Sequence, residues 1–184
     1  MLVLFAAGNC GDPAYDPDAR PSASISSPAN FRNGLSVGAT MNDAQSWTAL
    51  NDGASSSDKE TVGTLSSFSS RGPAPSVGGE PARIKPEILG TGEWIFSAQA
   101  DPFAEENTFH SGLIAKRGTS MATPAVAGIA AIVREYFMEG YYSSTGRNSS
   151  ASAFSPSGAL LKAMLIASGA KMSYILSSDS LSAG

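Results

Sequence analysis

The chain has 184 residues, of which 42% are hydrophobic and 15% are charged, and this balance excludes a disordered, strongly charged tail. Its 16 acidic residues outnumber its 12 basic ones, and the net charge of -4 argues against binding nucleic acid through phosphate contacts. No apolar run approaches the roughly 18 residues that span a bilayer. Cys10 is the single cysteine, so an internal disulfide is excluded.

The first half of the chain reads as short strands joined by loops. Residues 1–7 are apolar without interruption and stop at Gly8, which predicts a strand over 2–7 that is covered on both faces of a parallel sheet. Gly90-Thr91-Gly92 predicts a turn. Further short strands are predicted at 35–39, 66–70, 84–89 and 94–98.

Two amphipathic helices are predicted in the second half. The first begins near Ser120 and reaches about Glu139, with Pro124 in its first turn, where a missing N–H costs little. The second follows Ser157, which is the expected N-cap. The buried face of the first helix is expected to hold Val126, Ile129, Ala130, Val133 and Phe137. That of the second is expected to hold Leu160, Leu161, Met164 and Leu165. Strands that alternate with helices indicate an α/β fold in layers with a mostly parallel sheet.

Residues 118–124, Gly-Thr-Ser-Met-Ala-Thr-Pro, carry the sharpest chemical signal. Ser120 stands at the mouth of a helix, where backbone N–H groups lack partners and the helix dipole is positive. An oxyanion formed on a carbonyl group that this serine attacks would be stabilised there. The alternative is that Ser120 only caps the helix of a structural α/β domain, since capping is the commoner role of a serine in this position.

Five segments in order resemble the subtilisin-like serine protease family, peptidase S8. Residues 118–128 resemble the family's nucleophile motif, and Phe5-Ala6-Ala7-Gly8-Asn9 resembles the strand end that carries its oxyanion asparagine. Three further matches lie between them, at 37–39, 68–72 and 84–89. Segments 136–142 and 160–163 resemble the region after the nucleophile helix in larger, KP-43-like members. The resemblance implies a subtilisin-like three-layer α/β fold, incomplete in this chain.

The resemblance implies roles at the matching positions only. Ser120 would be the acyl-forming nucleophile, and its backbone N–H would be one oxyanion donor. Asn9 would supply the second donor through its side-chain amide, although a plain turn residue after the strand is the alternative. Ala6, Ala7 and Gly8 would wall the pocket for the substrate residue before the scissile bond. The implied substrate is a polypeptide, and no cofactor is required.

This chain departs from the family in its catalytic triad. Its order is Asp, His, Ser, and both partners precede the oxyanion asparagine, so neither is expected within residues 1–184. These residues would be the C-terminal portion of one peptidase domain, with the missing N-terminal half as their partner. Ser120 would then lack a base, and the isolated chain is expected to be inactive. The chain would be a fragment of a larger protease or a catalytically dead, peptide-binding relic of the same fold.

Smaller features add further expectations. His110, the only histidine, is expected to be a surface or loop-packing residue. Asp12, Asp16 and Asp18 could ligate calcium as a structural ion, although their spacing is not that of an EF-hand and a solvated loop is the alternative. Residues 148–150 form a glycosylation sequon, which matters if the protein is secreted or extracellular, as the family implies. The Ser27–Pro28 peptide bond is expected to be cis, because the resemblance places a proline that is often cis there.

Overall fold

The computed structural model describes residues 1–12, 23–25, 27–42, 64–74, 82–99, 112–143, 153–170 and 172. The strands are β1 (Leu4–Ala6), β2 (Leu35–Thr40), β3 (Ile88–Thr91), β4 (Ile95–Ala98) and β5 (Leu113–Lys116). The helices are α1 (Thr119–Met138) and α2 (Gly158–Ala167). Within these described ranges, no helix combines the length and the apolar character needed to cross a bilayer.

The first three strands form a parallel sheet in the order β1-β2-β3, so β2 is central. Leu4 pairs with Leu35, and Val37 pairs with Ile88. Strand β2 is buried along nearly its whole length, as expected for a parallel strand with neighbours on both edges and a helix packed on it. The predicted α/β class and parallel sheet are confirmed, although β1 spans 4–6 rather than 2–7.

Helix α1 lies close against the sheet because small residues meet at the contact. A Cβ atom on Gly90 of β3 would come within 2.8 Å of Val126 Cγ2 and within 3.0 Å of the Ala122 carbonyl oxygen. Glycine at this position therefore lets the helix approach the strand, and burial of Val126 contributes roughly 1.5–3 kcal/mol. One buried cluster joins helix and sheet: Val37, Ala39, Phe68, Ala122 and Val126.

The buried face of α1 differs from the predicted one at Ile129, which is 52% exposed. Val126 and Ala130 are buried, and Val133 packs against the neighbouring cluster around Ala130. With ~100° of rotation per residue, Ile129 falls on the opposite side of Val126 from Ala130. The sheet approaches on the side of the smaller residue, Ala130, so the larger Ile129 is turned outward and its predicted burial is wrong.

A partly buried ion-pair cluster holds α2 to the sheet. It is formed by Glu87, Lys85, Lys162 and Ser36. Lys85 Nζ lies 2.7 Å from Glu87 Oε1, and Lys162 Nζ of α2 lies 3.0 Å from the same oxygen. Glu87 Oε2 accepts hydrogen bonds from the Ser36 N–H and hydroxyl, each at 2.8 Å. Burial raises the pKa of Glu87, but the hydrogen bonds from Lys85, Ser36 and Lys162 outweigh it, and its pKa lies below the ordinary value of 4.5.

Helix α2 begins as predicted. The Ser157 hydroxyl oxygen accepts the Leu160 N–H at 3.1 Å, which satisfies one of the orphan donors of the first turn. Leu161 and Leu165 are buried, whereas Met164 is 38% exposed and lies off the buried face. The expected cap is confirmed, and the apolar face is narrower than predicted.

Three predictions about the loops and short strands can be compared with the structure. Residues 66–70 form a turn closed by the Ser69 N–H and the Ser66 carbonyl oxygen at 2.9 Å, so the predicted strand there is wrong. The predicted turn at 90–92 is wrong in part, because its first two residues belong to β3. The peptide bond before Pro28 is cis, as predicted.

Candidate active site

Ser120 is the second residue of α1 and is exposed. Its predicted position at a helix N-terminus is confirmed, but its alternative role as an N-cap is wrong. The N-cap residue is Gly118, which has no side chain that could cap the helix. Pro124 is the sixth residue of α1 rather than part of the first turn, so its missing N–H leaves the Ser120 carbonyl oxygen without the usual helical donor.

The first turn of α1 leaves one backbone donor open. The N–H groups of Met121 and Ala122 both donate to the Gly118 carbonyl oxygen, at 2.9 and 3.3 Å. The Thr119 N–H donates to Asn9 Oδ1 at 3.0 Å. Among the described residues, the Ser120 N–H has no hydrogen-bond acceptor. A positive helix end with one open N–H, beside an exposed hydroxyl on the same residue, can bind a developing oxyanion.

The Asn9 side chain is anchored to this turn across 110 positions of sequence. Its Oδ1 accepts hydrogen bonds from the Thr119 N–H and the Thr119 hydroxyl, both at 3.0 Å. Because a backbone N–H can only donate, this bond fixes which amide atom is the oxygen. The Nδ2 donors are therefore directed elsewhere, and a Cβ atom on Gly118 would lie 3.3 Å from Nδ2.

Gly118 makes this close approach possible. Its φ of 147° lies in the region that L side chains rarely adopt, and its missing Cβ leaves room beside the Asn9 amide. The Thr119 hydroxyl completes the junction, because it also accepts the Gly8 N–H at 3.2 Å. Thr119 is 1% exposed, so its own atoms in these three hydrogen bonds, one with Gly8 and two with Asn9, are buried.

The turn at 66–70 supports the segment that carries Asn9. The Ser70 N–H donates to the Gly8 carbonyl oxygen at 2.9 Å, and the Ser70 hydroxyl accepts the Cys10 N–H at 3.1 Å. The Gly11 N–H donates to the Phe68 carbonyl oxygen at 2.9 Å. A Cβ atom on Gly11 would clash with the carbonyl oxygen of Ser69. These bonds hold the backbone on either side of Asn9 in one conformation.

Ala6, Ala7 and Gly8 lie where β1 ends, directly before Asn9. Ala7 is fully buried among apolar side chains, whereas Ala6 and Gly8 keep part of their surface accessible. If they wall a substrate pocket, Ala6 and Gly8 would form its surface and Ala7 would support it from below. Their role in substrate binding stays a prediction.

An apolar cavity lies beside the serine motif. Its volume is about 410 Å³, and it separates the β4–β5 hairpin from the first turns of α1. Met121 and Pro124 line it from the helix, and Ile95 and Ile114 line it from the hairpin. In sequence, Ser120 thus lies between Thr119, which bonds Asn9, and Met121, which lines this cavity.

Several predicted residues lie outside the described part of the chain. They are His110, Asp16, Asp18 and the sequon at 148–150. Among the residues that are described, no group of three or more His, Cys, Asp or Glu side chains could hold a metal ion.

Thr119 and Ser70 are the site residues that reasoning from sequence missed. Thr119 bonds both Gly8 and Asn9, and Ser70 bonds the backbone on both sides of Asn9. Each lies inside a segment that the family resemblance had marked, 118–128 and 68–72. The resemblance of the two segments was therefore the available signal, but only the folded structure gives these hydroxyls their partners.

Comparisons with known proteins point to one family. The model of the subtilase family, peptidase S8, matches residues 1–178. Serine protease AprX of Bacillus subtilis is 38% identical over 138 residues, which cover 72% of this chain and 26% of AprX. Serine protease/ABC transporter B family protein tagB of Dictyostelium discoideum is 36% identical over 111 residues, which cover 55% of this chain and 5% of that protein. The solved structure of Sphericase superposes with a TM-score of 0.50 at 25% identity and covers 90% of this chain and 39% of Sphericase.

The chain thus spans about a quarter of AprX and a smaller share of tagB. The match of the family model is nearly as long as the chain itself and includes both segments that meet at Thr119. None of these comparisons distinguishes a KP-43-like subtype, which stays a prediction. The chain belongs to the subtilase family.

Proposed function

We propose that this chain supplies the nucleophile and the oxyanion hole of a serine endopeptidase, as part of a larger catalytic domain. The observation that supports this most is the open Ser120 N–H beside an Asn9 amide whose oxygen is already held by Thr119. In the proposed reaction, Ser120 Oγ attacks the carbonyl carbon of a peptide bond. The Ser120 N–H and Asn9 Nδ2 then donate hydrogen bonds to the oxygen that becomes negative.

Proton transfer requires groups that the described residues do not supply. The serine hydroxyl must lose its proton as it attacks, and the leaving amine must gain one before the acyl-enzyme is hydrolysed by water. We propose that an Asp and a His from the remainder of the domain perform this transfer, since relatives such as AprX are several times longer than the matched region. The 184-residue chain alone should accordingly be inactive.

Two surfaces support a covering partner of this kind. Ile129, Ile132 and Tyr136 form an outward face of α1 and are 52%, 66% and 41% exposed. Among the described strands, β1 also lies at an edge of the sheet and has β2 as its one neighbour. Unpaired strand edges and exposed apolar helix faces are surfaces that proteins normally cover. We propose that the N-terminal half of the catalytic domain covers both.

The substrate and the location follow from the same proposal. The substrate is a polypeptide, because the family's members named above are proteases, and the reaction needs no cofactor. In this proposal, a calcium ion would be structural and would take no part in the reaction. The protein is proposed to be secreted or extracellular.

Labelling with a fluorophosphonate probe tests the proposed function in the full-length protein. We expect stoichiometric labelling and peptide hydrolysis, both abolished in Ser120→Ala and both retained in Ser155→Ala, a matched change at an exposed serine away from the site. Labelling that survives Ser120→Ala would place the nucleophile elsewhere. Absence of labelling in a folded full-length protein that still binds peptides would instead support a catalytically dead, peptide-binding relic.

A further inference from the structure

Arg117 lies directly before the serine motif, and the side chains of Glu93 and Trp94 contact it. These three side chains are called the clamp below. Arg117 Nη1 lies 3.3 Å from Glu93 Oε1, and the Arg117 guanidinium carbon lies 4.9 Å from the centre of the Trp94 ring. Glu93 is 5% exposed, so this is a nearly buried carboxylate at the start of the hairpin. Buried carboxylates are rare unless they are paired, and the partner here is an arginine that is adjacent in sequence to Gly118.

Trp94 holds an unusual backbone conformation in this clamp. Its φ is 49°, in the left-handed region, where a bulky side chain is an outlier. Such conformations persist only where the surroundings determine them, and they concentrate at functional sites. At Trp94, the indole ring faces the Arg117 guanidinium, an arrangement that the ring's negative face stabilises.

The backbone of the same turn is joined to the start of α1. The Gly118 N–H donates to the Gly92 carbonyl oxygen at 2.8 Å. A Cβ atom on Gly92 would lie 2.8 Å from the Gly118 carbonyl oxygen and 3.1 Å from Ala122 Cβ. The Gly118 carbonyl oxygen in turn accepts the first helical hydrogen bonds of α1. Residues 92–94 therefore fix the position at which α1 begins. The start of the helix in turn fixes the direction of the Ser120 N–H.

We infer that Glu93, Trp94 and Arg117 are positioning residues for the oxyanion donor of Ser120. The inference rests on the proposed function, because it assigns these residues to the same oxyanion site. The clamp fixes Arg117 from two sides, the backbone bond fixes Gly118, and Asn9 fixes Thr119, so three successive residues are held before the nucleophile. Loss of the clamp leaves the nucleophile present but lets its N–H drift from the position in which it meets the oxyanion.

The test uses the full-length protein and measures turnover per titrated active site. Fluorophosphonate titration counts correctly folded sites, and kcat for a peptide substrate is then divided by that count. For Arg117→Ala we expect kcat per site to fall roughly 10- to 100-fold, the size of effect that a small misplacement of catalytic groups produces. KM is expected to stay within about twofold, because the donor acts on the transition state rather than on substrate binding.

Companion variants separate the contribution of the Trp94 ring from that of the left-handed backbone at this residue. In Trp94→Asn, the asparagine can adopt the left-handed φ but has no ring, so kcat per site should fall as it does in Arg117→Ala. In Trp94→Phe, an aromatic ring remains, and most of kcat should be retained. Arg134→Ala removes an exposed arginine of α1 and is expected to leave kcat per site unchanged. A double variant with Asn9→Ala should lose less than the product of the two separate losses, because both act on one oxyanion site.

The outcomes distinguish the two proposals. If Arg117→Ala lowers the titratable fraction but leaves kcat per site within twofold of the wild type, the clamp is merely structural and the inference is overturned. If Trp94→Asn keeps full kcat per site, the ring has no positioning role and the inference is likewise overturned. If the wild-type protein is not labelled at Ser120, the proposed function fails, and the positioning role fails with it.

Discussion

Replacing Glu87 with glutamine should destabilise the protein by about 3 kcal/mol, because it leaves Lys85 buried without a counter-charge. The Lys85 side chain is 2% exposed and ends 2.7 Å from Glu87 Oε1, so water cannot take the place of the carboxylate. Breaking a buried ion pair by removing one partner costs roughly 3–5 kcal/mol. Glu87 is 12% exposed and its second lysine, Lys162, is 25% exposed, which puts the expected loss at the lower end of that range.

The loss should also depend on pH in a defined direction. The pKa of Glu87 is lower in the folded protein than its ordinary value of 4.5, because hydrogen bonds to its charged form outweigh burial. A depressed pKa in the folded state stabilises the protein above the unfolded pKa, and that stabilisation is lost as the pH falls through the folded pKa. The difference between wild type and Glu87→Gln should be full at pH 7 and should shrink below pH 4.5.

Urea denaturation followed by tryptophan fluorescence measures this difference, with both proteins carrying Ser120→Ala so that autolysis does not interfere. Glu135→Gln, at an exposed position of α1, serves as the matched control and should change the free energy of unfolding by no more than about 0.5 kcal/mol. The proposed energetics of the ion-pair cluster would be refuted if Glu87→Gln lost as little free energy of unfolding as the control. They would also be refuted if the loss stayed constant down to pH 3.

Two further predictions concern the serine turn and the second helix. Gly118→Ala should lower kcat about 10²-fold or more with little change in KM, because φ is 147° at this residue and the new methyl group would lie 3.3 Å from Asn9 Nδ2. Unchanged peptide hydrolysis would contradict the proposed oxyanion geometry. Ser157→Ala should cost about 1 kcal/mol in urea denaturation and leave fluorophosphonate labelling unchanged, because it removes only the hydrogen bond to the Leu160 N–H; an unaltered denaturation midpoint would show that the cap is not used.

The elements that sequence predicted best are those whose pattern is local. Strand β2 appears as apolar residues at alternate positions, Leu35, Val37 and Ala39. Helix α1 appears as apolar residues three and four apart, and Ser157 as a hydroxyl before an apolar stretch. In each case, the residues that define the element are neighbours in the chain. The start of α1 near Ser120 was predictable for the same reason.

The features that sequence did not predict depend on distant partners. Strand β5 has four residues, and it becomes a strand because it pairs with β4, so its own composition gave little signal. The hydrogen bond between Asn9 and Thr119 spans 110 positions, and no spacing rule connects them. Ile129 fits the helical pattern as well as Ala130 does, and only the close approach of the sheet chooses between them. Such choices are made by packing, which a single sequence does not display.

The arrangement of the site divides its chemistry into two parts that are stabilised differently. In the proposed reaction, the oxyanion donors come from described residues, because the end of β1, the segment after β3 and the start of α1 meet at the same edge of a parallel sheet. The hydrogen bonds of Thr119 with Asn9 and Gly8, and of Gly118 with Gly92, are all made by described residues. In the same proposal, proton transfer depends on groups outside the described residues. Changes at Gly118 or Arg117 should therefore act on the stabilisation of the oxyanion alone, whereas changes that uncouple the outer face of α1 from its partner should remove the base and leave the oxyanion geometry intact.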